Sequence, residues 1–121
     1  MQIYQPTNFA EVAAILQTTE SSAASLPLLT PKALGLAIDL GEHSPSLGNI
    51  IKQEALAVGA DAAVHEKCSR CEVERSRIVL VGTAKQLLIL AAKLQKNVAA
   101  LPEIGRELAA GLKEKFPELS A

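Results

Sequence analysis

The chain has 121 residues, enough for one domain with a modest core, and 49% of it is apolar, mostly Ala, Leu, Val and Ile. Aromatic residues make up only 2% (Tyr4, Phe9, Phe116), which excludes the stacking platforms that single-stranded nucleic acid needs. A net charge of −1 supplies no field to steer phosphates or anionic lipid, and the longest apolar run, Leu87–Ala92, is too short for a bilayer.

The N-terminus carries Gln2, Gln5 and Asn8, with no basic patch followed by an apolar run. Two cysteines fall short of a secreted disulfide framework. The expectation is a cytoplasmic protein with no nucleic-acid and no membrane partner. Lys67, Arg70, Arg75 and Arg77 lie near one another, but Glu66, Glu72 and Glu74 interleave with them, so this stretch reads as a solvated face.

In chain order, Ile3-Tyr4-Gln5 reads as a short strand closed by Pro6. Asn8, with Glu11 three residues on, reads as a capping box opening a helix to about Gln17, with Phe9, Val12, Ala13 and Leu16 on one face. Residues 18–25, "TTESSAAS", form a polar loop, and Thr30-Pro31 starts a helical turn. "LAIDL", 36–40, is a strand. Ser44-Pro45 starts a helix whose apolar face carries Leu47, Ile50, Ile51, Ala55 and Val58, and Gly59 ends it.

"DAAV", 61–64, is a strand, and "RIVLVGT", 77–83, is the clearest strand of all. Its unbroken aliphatic run predicts a central position buried on both faces. Thr83 caps a helix over 84–95 that has little polar face and should be deeply packed. Pro102 opens the last helix, with Ile104, Leu108, Leu112 and Phe116 at four-residue steps, and Pro117 ends it.

The helix over 45–58 joins two strands expected to be parallel through a right-handed crossover, and the segment after residue 64 is short enough for a hairpin. The expected fold is a single α/β domain, helices packed on a small mixed β-sheet. It is ferredoxin-like or a related α/β sandwich, with the N-terminal strand supplying the missing edge.

"HEKCSRC", 65–71, holds both cysteines in a C-x-x-C pair. A zinc site would need Cys68, Cys71, His65 and the distant His43 together. A redox pair usually sets its first cysteine at a helix N-terminus. No helix is predicted there, although Lys67 and Arg70 could stabilise a thiolate. The third reading, which the spacing favours, is a turn with two small thiols. "VGTAKQ", 81–86, is a strand-to-helix turn whose amides could bind an anion, but it lacks phosphate-loop spacing. Asn49, Lys52 and Gln53 form a polar patch on one helix, and Lys85 and Gln86 open another. Two helices rising from the same end of a sheet would bring these groups together. Asp39, Glu42 and His43 gather at a strand end. No nucleophile or acid/base set is legible, so a non-catalytic protein is the expectation.

"LTPKAL" (29–34), "NIIKQEALAVGADAAVHEKCSRC" (49–71), "VLVGTAKQ" (79–86) and "KLQKNVAALPEIGREL" (93–108) resemble, in order and spacing, the N-terminal region of long bacterial dihydropteroate synthases. Ala60 stands where that family tends to have a second glycine, and "NVAAL" replaces its Q-P-F-G-L segment. The family's chemistry belongs to a (β/α)₈ barrel that this chain is too short to hold, so the resemblance carries no catalytic residue. It does carry a polar set: Lys32, Asn49, Lys52, Gln53, Asp61, Gly82, Thr83, Lys85 and Gln86. The resemblance implies a non-catalytic accessory module linked to pterin and folate chemistry. Such a module would act through a barrel-type pterin enzyme or a small anionic ligand, with no cofactor. The rival expectations are a small zinc-binding or thiol-redox protein, and a self-associating domain that forms a homo-oligomer through the apolar helix 84–95.

Overall fold

The computed structural model describes residues 1–120. Its elements are α1 (Phe9–Gln17), α2 (Leu26–Leu29), a 3₁₀ turn (Thr30–Lys32), β1 (Gly35–His43), α3 (Pro45–Ala57), β2 (Asp61–Ala63) and a 3₁₀ turn (Cys68–Arg70). They continue with β3 (Ser76–Thr83), α4 (Ala84–Gln95), α5 (Leu101–Lys115) and a 3₁₀ turn (Pro117–Ser120). The α/β class is as expected: helices pack on a three-stranded sheet of order β1-β3-β2.

Both sheet pairings are antiparallel, so the expected mixed sheet is corrected. β1 and β2 do run parallel to each other, but β3 is inserted between them. This is the β-α-β-β-α part of a split βαβ unit.

Local chemistry explains the starts and stops. The Ser44 hydroxyl accepts from Leu47 N–H at 3.4 Å, and Pro45 takes the position where no donor is needed. Gly59, at φ +85°, turns the chain out of α3 in a conformation that favours glycine. Thr83 and Gln86 form a reciprocal capping box at the start of α4, with bonds of 3.2 and 2.9 Å. At α1 the box is displaced by one residue. Asn8 Oδ1 accepts from Glu11 N–H at 2.9 Å, while the Glu11 carboxylate accepts from Thr7 N–H at 2.7 Å.

The N-terminal strand does not form. Ile3 and Tyr4 are 86% and 59% exposed, and among the described residues their segment joins no strand of the sheet. Pro6 has no N–H to lend to a ladder, and Thr7 is already drawn into the α1 cap.

The core lies on one side of the sheet. Ile78 and Leu80 of β3 and Ala62 of β2 meet Ile51 and Ala55 of α3, Leu87, Leu90 and Leu94 of α4, and Leu101, Leu108 and Leu112 of α5. The helix over 84–95 is deeply packed, as expected. Each of its three buried leucines contributes roughly 1.5–3 kcal/mol by leaving water. Its apolar surface has a partner in the same chain: α5 crosses it closely. A Cβ on Gly105 would lie 2.7 Å from the Ala91 carbonyl oxygen. A smaller cluster of Phe9, Leu34 and Ala84 joins α1 to the end of α5, where Phe9 and Phe116 pack edge-to-face at 5.1 Å.

β3 is central, but it is buried on one face only. Ile78 and Leu80 are fully buried, whereas Val81 is 42% exposed. The helices occupy one side and leave the other bare. An aliphatic run therefore indicates β-branched packing here rather than two covered faces.

Candidate functional site

The polar residues singled out from the sequence are placed mainly in structural roles. Lys52 Nζ reaches Asp61 Oδ1 at 2.9 Å and the Ala62 carbonyl at 2.7 Å, while Asp61 Oδ1 also accepts Ala62 N–H at 2.7 Å. β2 is an edge strand, and Ala62 is its residue with both backbone groups turned outward. The Lys52–Asp61 pair therefore occupies the donor and acceptor that a foreign strand would use. The Lys52 ammonium and the Ala62 N–H hold the Asp61 carboxyl below its ordinary value.

Asn49 Nδ2 donates to the Cys68 carbonyl at 3.0 Å and pins the C-x-x-C turn to α3. Gly82 is a packing position. A Cβ there would stand 2.9 Å from the Ala60 Cβ and 3.0 Å from Gln86 Oε1. Thr83 and Gln86 are occupied with each other, and Ala84 N–H bonds to the Leu34 carbonyl at 2.9 Å. The first turn of α4 thus spends its amides internally and leaves little for an anion. Lys32 and Gln53 are exposed, and Lys85 is half-buried.

The expected gathering of Asn49, Lys52 and Gln53 with Lys85 and Gln86 is corrected. α3 follows β1 and α4 follows β3, and these strands are antiparallel, so the two helices start at opposite ends of the sheet.

The C-x-x-C segment is a 3₁₀ turn in a β2–β3 hairpin connection. Cys68 is fully buried, with Sγ donating to the Pro45 carbonyl at 3.3 Å, and Cys71 is exposed in the left-handed region at φ +54°. Both thiols are free. His65 Nδ1 accepts from Lys67 N–H at 3.0 Å, and His43 Nε2 lies 2.9 Å from the Leu40 carbonyl. The four zinc candidates do not converge: among the described residues no three His, Cys, Asp or Glu side chains stand together as metal ligands. Of the strand-end trio, Asp39 turns away to Arg77, at 3.0 Å, and to Gly41 N–H, at 2.8 Å. The Gly41 N–H and then the Arg77 guanidinium hold its carboxyl below the ordinary value. Among the described residues no helix is long and apolar enough to cross a membrane.

What the structure leaves open is surface. On the bare side of the sheet, Ala37, Val81 and Asp61 form one cross-strand row, and Asp39, Val79 and Ala63 form the next. Small apolar groups make the centre of this face, and the Asp39–Arg77 and Lys52–Asp61 pairs stand at its margins. The second open feature is the free edge of β1. The bond from Ala84 N–H to the Leu34 carbonyl fixes the alternation of the ladder, so Leu36 and Ile38 face β3 while Gly35, Ala37 and Asp39 turn their backbone groups outward. A groove of about 470 Å³ runs between this edge and α5.

Both features escaped the sequence reading. The bare face was hidden by the aliphatic run of β3. The alternation of Leu36, Ile38 and Leu40 with Ala37 and Asp39 was the signal that could have revealed it. Comparison with protein-family models, with curated proteins and with solved structures returned no match.

Proposed function

We propose that this chain is a non-catalytic binding module that docks a protein partner on the bare face of its sheet. The observation that carries the reading is the face itself, with Ala37, Ala63, Val79 and Val81 at its centre and ion pairs at its margins. An apolar centre with a charged rim suits a protein interface. The polar residues that chemistry would need are engaged in caps, an edge clamp and a turn, which supports a binding role over catalysis. The resemblance to the N-terminal region of long dihydropteroate synthases supplies the partner class, a barrel-type enzyme acting on pterins.

Co-purification with such enzymes, alongside titration with pterins and folates, tests the reading. It expects a complex that the exposed-face variant Val81→Lys abolishes without loss of helical content. Absence of any complex refutes it. Binding of a pterin to the isolated chain that Lys85→Ala removes would move the site to the start of α4.

A further inference from the structure

We propose that the open edge of β1 and the Glu107–Gly111–Lys115 stripe of α5 form an isologous interface with a second copy of this chain. Among the described residues the strand order β1-β3-β2 leaves β1 without a neighbour on its far side, and Gly35, Ala37 and Asp39 present their N–H and C=O groups there. The edge of β2 is clamped by Lys52 and Asp61, whereas β1 carries no such clamp over these three residues. The bulge at Leu40 and Gly41, with Gly41 at φ +79°, ends the flat stretch and limits pairing to a short segment.

Self-pairing has one favourable register. Only the outward residues 35, 37 and 39 can exchange backbone bonds. A two-fold axis at Asp39 would place two carboxylates opposite each other, one at Gly35 would pair little chain, and one at Leu36 or Ile38 would engage only two of the three outward residues. An axis at Ala37 sets Ala37 against its own copy and Gly35 against Asp39 of the second copy. Leu36 then lies opposite Ile38 on the core side, an apolar match. The half-buried Leu36 and Ile38, which line the groove, would thereby lose further exposure.

α5 carries a matching pattern. Its C-terminal end lies by the start of β1, since Phe116 and Leu36 pack on the same small cluster. Gly111 and Ala37 line the same groove. Glu107 and Lys115 are each four residues from Gly111 and share its helix face. Inverting this stripe about Gly111 puts Glu107 opposite Lys115 of the second copy, twice per dimer. A Cβ on Gly111 would meet nothing within 4 Å among the described residues, so none of them requires glycine there. A closely approaching second helix does. A strand edge alone falls short of the roughly 1,200–2,000 Å² that specific interfaces bury, and the adjoining helix pair enlarges it.

Sedimentation equilibrium of the full chain over a wide concentration range tests this, with Ala37→Pro and the charge variants Glu107→Lys, Lys115→Glu and their double swap. Ala37 N–H points outward, so proline removes no bond within the chain. Expected are a dimer of the 12.7 kDa chain, loss of dimer in Ala37→Pro, at least about tenfold weaker association in each single charge reversal, and recovery in the double swap. A wild type that stays monomeric, or a double swap no stronger than the singles, overturns the inference. The charge series decides the matter if Ala37→Pro fails to fold. A monomer that still captures a barrel enzyme through Val81 overturns this inference and leaves the docking reading intact.

Discussion

Gly105→Ala reverses the sign that helix propensity alone assigns to it. In an unconstrained helix interior, replacing glycine by alanine stabilises by about 0.5–1 kcal/mol. Here the new Cβ would stand 2.7 Å from the Ala91 carbonyl oxygen and 3.0 Å from both Gln95 N and Gln95 Cγ. Two of those atoms are backbone of α4, which is held by Leu87, Leu90, Ala91 and Leu94, all fully buried. The Gln95 side chain can swing aside, but the Ala91 carbonyl cannot without separating the two helices. Overpacking of this kind costs about 1–3 kcal/mol, and less the propensity gain this leaves a net destabilisation of up to about 2.5 kcal/mol. Urea unfolding should show a lower midpoint at unchanged slope, and the melting temperature should fall by about 3–6 °C per kcal/mol. Equal or higher stability would refute the close α4–α5 crossing and with it the placement of α5 beside β1.

Four further outcomes follow from the same geometry. Native protein should expose one fast-reacting thiol per chain to a cysteine reagent, Cys71, and two after denaturation; rapid native labelling of Cys68 would contradict its burial under α3. Ser76 is 2% exposed, and its hydroxyl accepts His65 N–H at 2.9 Å, so Ser76→Ala should cost about 1–3 kcal/mol in urea unfolding by stranding that donor. Thr83→Ala removes the α4 cap and should cost about 1 kcal/mol, read the same way. Asp39 and Asp61 both sit below their ordinary value near 3.8, so the stability they contribute is fully present above about pH 4 and is lost as pH falls through their lowered folded values. The urea midpoint should therefore drop less steeply on acidification in the Asp39→Asn/Asp61→Asn double variant than in the wild type, and parallel curves would argue against both pairs.

The elements whose signals are local were legible in the sequence. Ser44-Pro45, Gly59 and the Thr83 cap each act within a turn of chain, and each sits where the sequence predicts. The features that depend on what lies across the sheet were not legible. "RIVLVGT" has the composition of a doubly buried strand, and nothing within that run reveals that the helices share one side; only the alternation of Leu36, Ile38 and Leu40 with Ala37 and Asp39 in β1 carries that signal. Ile3-Tyr4 has strand propensity, but a strand needs a neighbour, and the Thr7–Glu11 bond commits the chain to α1 instead. The polar set of 49–53 and 85–86 suggested one site because both groups open or line helices. Antiparallel β1 and β3 send those helices from opposite ends. Lys52 and Asp61, nine residues apart, gave no sign of guarding an edge, since that role depends on β2 being outermost.

The docking reading meets its most direct test in methyl-resolved nuclear magnetic resonance of the labelled chain titrated with a barrel-type pterin enzyme. The methyl signals of Ala37, Ala63, Val79 and Val81 should shift or broaden together while those of buried Leu90 and Leu94 stay in place. Unchanged spectra, or changes confined to the α4 start, would contradict it.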